Sequence, residues 1–167
     1  MPPNPIHFSA IALSHFKRAR YFDMMALLFS STFVDLELLY SWLLGKPMYH
    51  GLWHSYLFVL TIYPFVLSII IYAMERRFEK TISRVYAFFK FFPRKVAYSF
   101  NVIFLSCAFG GLSHIFLDMW VHENSNYVLF PFYKGNPFWI GEYSFIIFAL
   151  VGLLSLYSFI LWFRQIE

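Results

Sequence analysis

Four stretches of the chain, at about residues 24 to 44, 52 to 73, 97 to 118 and 143 to 163, each run for roughly 20 mostly apolar residues, the length at which a helix crosses the hydrocarbon core of a bilayer. Composition agrees with that reading. With 60% hydrophobic, 24% aromatic and only 13% charged residues, a water-soluble domain would have too little polar surface to cover itself. The intervening segments are too short to fold alone. The expectation is therefore a single all-α domain over residues 1–167, a polytopic membrane helical bundle with four long transmembrane helices plus a short N-terminal half-spanning or interfacial helix.

The net charge of +4 does not indicate a nucleic-acid partner, because the cations are gathered where a membrane protein places topology signals. Arg76, Arg77, Lys80, Arg84, Lys90, Arg94 and Lys95 all fall between the second and third spans. The connections at 45 to 51 and 119 to 142 hold one each, Lys46 and Lys134. The positive-inside rule puts residues 74 to 96 in the cytoplasm, and Lys17, Arg18, Arg20 and Arg164 agree with it. The expected location is the cell (inner) membrane, with both histidine-bearing ends on the extracytoplasmic side. The single cysteine, Cys107, excludes an intrachain disulfide. No cleavable signal peptide is expected, since the N-terminal basic cluster follows the short apolar run, the reverse of the usual order.

Residues 5 to 16 are too short to span and read as a surface helix; preferably, residues 5 to 19 form one arm of a hairpin turning at "KRARYFD". At about 1.5 Å per residue, that hairpin puts His7 roughly 20 Å and Asp35 roughly 18 Å above the turn, at a shared depth. The segment "SRVYAFFKFFPRKV" reads as an interfacial helix ended by Pro93. The aromatic loop "ENSNYVLFPFYKGNPFWIGEY" suits an ordered outer cap.

Ionisable side chains inside membrane spans cost about 2.5–3.5 kcal/mol each on insertion scales and usually face a protein interior or a wet cavity. Asp35, Glu37, His50, His54, His114, Asp118 and His122 therefore need a reason. Residues i and i+4 share a helix face, so His50 converges with His54 if a helix begins by about residue 50, and His114 converges with Asp118. Asp35 and Glu37, two apart, point to nearly opposite sides of a helix. Only one of them is expected at a shared site, and Asp35 is the preferred one. A divalent metal, zinc or a related ion, is the simplest common partner for imidazoles and carboxylates; proton transfer and buried structural hydrogen bonding are the alternatives. His15 reads as interfacial and without a site role, and His122 either joins the site or is solvated at a membrane end. Gly110 and Gly111 suit close helix approach next to His114.

At these residues the chain resembles the family of membrane-bound metal-dependent hydrolases of prokaryotic inner membranes. The shared elements are "NPIHFSA", "FVDLELLY", "HGLWHS" and "GGLSHIFLD", in this order, with the loop "FPFYKGNPF" similar to archaeal members. Val34 departs from the proline common before the acidic residue, and Trp53 from the small residue often found before the second histidine. The resemblance implies a helical bundle with a divalent-metal site built from His7, Asp35, His50, His54, His114 and Asp118.

Two functions follow as expectations. The first is a metal-dependent hydrolase at the outer half of the membrane, acting on lipid esters or phosphoesters, with Asp35 or Glu37 as the catalytic base. The alternative is a noncatalytic accessory or structural subunit of a larger membrane complex that keeps a hydrolase-like scaffold. Expected partners are membrane lipids and, in the second case, other membrane subunits.

Overall fold

The computed structural model describes residues 21–46, 50–91, 97–123 and 127–164, which form helices and turns with no strand among them. In order, the α-helices are α1 (Met24–Phe33), α2 (Leu36–Leu43), α3 (Tyr56–Leu60), α4 (Ile62–Arg77), α5 (Glu79–Phe88), α6 (Phe100–Asp118) and α7 (Ser144–Arg164), with 3-10 turns at Leu52–His54 and Gly141–Tyr143. The N-terminal hairpin, with His7 and His15, lies outside the described residues.

Helix α6 is the centre of the bundle, packed against both α1 and α4. Its two glycines set those contacts. A Cβ on Gly110 would collide with the Ser30 side chain of α1, and one on Gly111 would come within 3.0 Å of Tyr63 and 3.3 Å of Val59. With neither Cβ present, the backbones approach closely. The Tyr63 hydroxyl then reaches across to donate to the Ser30 carbonyl at 2.6 Å. Ala26, Val34, Val59, Ile103, Cys107 and Ile115 fill the space between these helices and are fully buried.

Four continuous long spans are not what forms. α6 and residues 141–164 are each long and apolar enough to cross a membrane; α1 and α2 make a third crossing only if taken together, across a 40° bend. The bend has a local cause. Ser30, Ser31 and Thr32 each donate a hydroxyl back to a carbonyl of the preceding turn, at 3.1, 3.0 and 2.9 Å, and such back-bonding bends helices. The chain breaks at Val34 and Asp35 without a proline there.

The 52-to-73 stretch is likewise divided, into the first 3-10 turn, α3 and α4. An unbroken helix would need the Pro64 N–H for the Leu60 carbonyl, and proline has none. The chain instead breaks at Thr61 (φ −119°, ψ −91°). That puts Pro64 in the first turn of α4, where a missing N–H is harmless.

The interfacial segment ends differently from its expectation. Helix α5 stops at Phe88, Lys90 takes a left-handed conformation (φ 51°), and the Phe91 N–H closes onto the Tyr86 carbonyl at 3.0 Å. This C-terminal cap terminates the helix, and Pro93 lies outside the described residues.

At the end of the bundle away from His114 and Asp118, a buried polar cluster joins α1, α4, α5 and α6. Asp23 caps α1, accepting from the N–H groups of Met25 (3.2 Å) and Ala26 (3.1 Å) and from the Tyr86 hydroxyl, while its own N–H donates to Ser106 Oγ at 2.9 Å. Glu75 accepts from the Tyr98 N–H at 3.4 Å. Burial, then the neighbouring Asp23 charge, pushes the Glu75 carboxyl up to about 8, and burial also raises Asp23. Helix α7 is the outlier: of its residues only Val151 and Ser158 are buried, and Trp162 Nε1 donates to the Phe89 carbonyl at 2.7 Å.

Candidate metal centre

The last two turns of α6 put His114 and Asp118 on one face, with His114 Nε2 3.1 Å from Asp118 Oδ2, as i, i+4 spacing requires. The break between α1 and α2 delivers Asp35 beside them. Its Oδ1 lies 3.3 Å from His114 Nε2 and 3.4 Å from His54 Nε2. His54 completes the group from the first 3-10 turn, its Nε2 3.9 Å from Asp118 Oδ2. One ligand-type atom from each of these four residues lies within 4.8 Å of every other. His54 and His114 are 0% and 1% exposed, and Asp118 is 3% exposed.

His50 and His54 do meet, with ring centroids 4.0 Å apart, but not as helix neighbours. His50 precedes the 3-10 turn, His54 ends it, and α3 begins only at Tyr56. Ser55 starts that helix by accepting the Phe58 N–H at 3.2 Å. The tight turn supplies the convergence that a helical register was expected to supply.

Of the two acids only Asp35 joins the four-residue group, and Glu37 stands behind one of its members. Because the helix axis bends between α1 and α2, Asp35 approaches His54 Nε2 while Glu37 Oε2 meets its Nδ1 at 3.0 Å. Glu37 also accepts the Gly51 N–H at 3.0 Å and the Trp53 N–H at 3.4 Å. A side chain on Gly51 would run into this carboxylate. Carboxylates placed behind a ligating imidazole fix its tautomer and raise its basicity. With Nδ1–H given to Glu37, His54 presents the Nε2 lone pair to the other three residues.

The donor set fits a divalent cation. With neutral imidazoles, Asp35 and Asp118 place two negative charges among buried groups, an arrangement that is costly without compensation. One divalent ion balances both. Two imidazole nitrogens and two carboxylate oxygens are donor types that could hold a metal ion.

A second group adjoins the first. His50, Asp118 and His122 also bring ligand atoms within 4.8 Å of one another. The His50 and His122 ring centroids are 4.3 Å apart, and His122 Nε2 is 3.8 Å from Asp118 Oδ1. His50 is buried, and its Nδ1 has no hydrogen-bond partner among the described residues. Burial, then the neighbouring His54, pushes the His50 imidazole down to about 3; burial also lowers His122. Asn136 of the aromatic loop donates to the carbonyls of Met119 (2.5 Å) and His122 (2.6 Å), and the Val128 carbonyl accepts the Tyr56 N–H at 3.0 Å. The loop thereby caps this end of the bundle.

Beside the cluster lies an open cleft of about 770 Å³, whose walls include Glu37, Tyr40, Trp53, Tyr127, Lys46 and Lys134. Of the residues expected at the site, Asp35, His54, His114 and Asp118 come together, His50 sits in the adjoining group, Glu37 stands behind His54, and His7 lies outside the described residues. His122, left open by the sequence, stands with His50; its spacing of four from Asp118 was the available signal. Asn136 was visible only as part of a turn. No family model, curated protein or solved structure matches this chain.

Proposed function

We propose that the chain is a membrane-embedded hydrolase that holds a divalent ion, zinc by donor chemistry, at Asp35, His54, His114 and Asp118, and acts on ester or phosphoester bonds of lipids. The observation that carries this reading is the convergence of four ligand-type atoms from three separate segments, three of them on buried residues, with Glu37 bound to the far nitrogen of His54. The resemblance of the four sequence motifs to membrane-bound metal-dependent hydrolases supports it. An ion in this position supplies Lewis acidity and activates water near neutral pH.

The remaining roles belong to the chain's own side chains. Glu37, the carboxylate outside the four-atom set, faces the cleft and is placed to take up a proton there. Lys46 and Lys134 line the same cleft and attract an anionic headgroup, while Tyr40, Trp53 and Tyr127 offer amphipathic walls suited to the membrane interface. Arg76 and Arg77 end α4 at its far end and Lys80 and Arg84 follow in α5, and by the positive-inside rule this charge distribution supports an extracytoplasmic cleft.

The test is elemental analysis of the detergent-purified chain beside His54→Ala and Asp118→Ala variants, with turnover of lipid esters and phosphoesters measured on the same samples. Near-stoichiometric metal and turnover, both lost in the variants, are expected; variants that keep full metal occupancy would refute the assignment. Helix α7 favours one other reading. Its almost unburied surface suits an accessory subunit seated against other membrane proteins, for which native mass spectrometry in mild detergent should find stoichiometric partners and assays should find no hydrolysis.

A further inference from the structure

The metal centre proposed above uses four residues and leaves two buried or half-buried imidazoles unexplained at its border. The His50 and His122 ring centroids lie 4.3 Å apart with the rings tilted by 44°, and the His50 centroid also lies 4.0 Å from that of His54. His50 is only 6% exposed, yet its Nδ1 meets no hydrogen-bond partner among the described residues. Leaving a buried polar atom unsatisfied costs about 1–3 kcal/mol. Packing alone gives no reason to gather three imidazoles here, where apolar side chains would pack without that cost.

Asp118 belongs to both groups, with its two oxygens facing different ways. Oδ2 lies 3.1 Å from His114 Nε2 and 3.9 Å from His54 Nε2, whereas Oδ1 lies 3.8 Å from His122 Nε2. A carboxylate whose oxygens address separate sets of imidazoles has the form of a bridging ligand. The first group already offers four donors to one ion and leaves it a further position for water, so His50 and His122 are surplus to it. The charge count points the same way. Asp35, Asp118 and Glu37 carry three negative charges when ionised, so two divalent ions leave one net positive charge, which a phosphodiester anion balances and a neutral carboxylic ester does not. Paired divalent ions that clamp both the attacking and the leaving oxygen are a recurring device of phosphoryl-transfer hydrolysis.

We propose that Asp118 bridges two divalent cations, the first held with Asp35, His54 and His114 and the second with His50 and His122, and that the pair selects phosphodiesters over carboxylic esters. This rests on the single-metal reading and extends it. The anion contacts come from the cleft side, where Lys46 and Lys134 stand.

The experiment is a manganese(II) titration of the detergent-purified full-length chain, followed by metal analysis and by electron paramagnetic resonance. The wild type is expected to saturate at two ions per chain, with an exchange-coupled dinuclear spectrum replacing the six-line signal of isolated ions. The variants His122→Ala and His50→Ala should each saturate at one ion with the uncoupled signal. Saturation of the wild type at one ion, unchanged in His122→Ala, would overturn the second site and leave the proposed function standing. No bound ion in the folded wild type would overturn both. Two ions retained in both variants would overturn the ligand assignment. If the variants fail to fold, the wild-type stoichiometry and spin coupling decide the question by themselves.

Discussion

Replacing Glu37 by alanine tests whether the carboxylate behind His54 organises the centre. Glu37 accepts from His54 Nδ1 and the Gly51 N–H, both at 3.0 Å and both on buried residues, and more weakly from the Trp53 N–H at 3.4 Å on the exposed side. Removing it strips two buried donors of their acceptor, at about 1–3 kcal/mol each. Because Glu37 forms part of the cleft wall, water reaches the vacated space, and the lower end applies, about 2 kcal/mol in all. Loss of a carboxylate behind a ligating imidazole lowers metal affinity by about 10–100-fold, or roughly 1.4–2.7 kcal/mol, the same order. Glu37→Gln, which keeps the shape and one acceptor oxygen, should fall between wild type and alanine. The assay is competitive titration with a chelating dye beside thermal unfolding in detergent. An unchanged affinity and an unchanged midpoint in Glu37→Ala would refute the reasoning, since it would mean that His54 is positioned without its partner.

Two further perturbations probe the scaffold. The Glu75 carboxyl, raised in the fold to about 8 from its ordinary value of 4.5, binds its proton more tightly folded than unfolded. Its contribution to stability is therefore complete below about pH 4.5, declines as pH rises toward 8, and is lost above that. Glu75→Gln should flatten this slope in thermal unfolding scans, and an identical pH profile in the variant would count against a buried protonated carboxyl. Gly110→Ala would drive a methyl group into Ser30 and the Leu27 carbonyl, with an expected cost of about 1–3 kcal/mol for overpacking. Pairing it with Ser30→Gly should restore part of the loss, and a midpoint unaffected by Gly110→Ala would show that α1 and α6 are not in the close contact described.

Part of the site was legible because helical periodicity survives folding. His114 and Asp118 share a face by helix geometry alone, and Gly110 and Gly111, one turn earlier, mark where neighbouring backbones press against α6. What misled was the assumption of continuous helices. Pro64 could have divided the 52-to-73 stretch on sequence grounds, since an interior proline removes a hydrogen bond and clashes with the preceding turn. The left-handed cap at Lys90 had no such marker, because a lysine gives no local preference for positive φ. The cluster of Asp23, Glu75 and Tyr86 was equally hidden: its members lie 52 and 63 residues from Asp23 and meet only through the packing of α1, α4 and α5.

The sequence by itself determined the class of molecule and the chemistry available to it. Long apolar runs with few charges can only be helices buried in lipid or protein, and histidines and acids placed at their ends must find partners there. Tertiary structure decided which partners. The 40° bend after Phe33 turns Asp35 and Glu37 onto opposite nitrogens of one imidazole, and the short 3-10 turn, not a helix, brings His50 against His54. Asp118 faces two sets of histidines at once because α6 is enclosed by segments that are distant along the chain. Spacing along a helix fixes which side chains share a face, but it carries no information about where a chain breaks and turns back, and the centre is built at two such breaks.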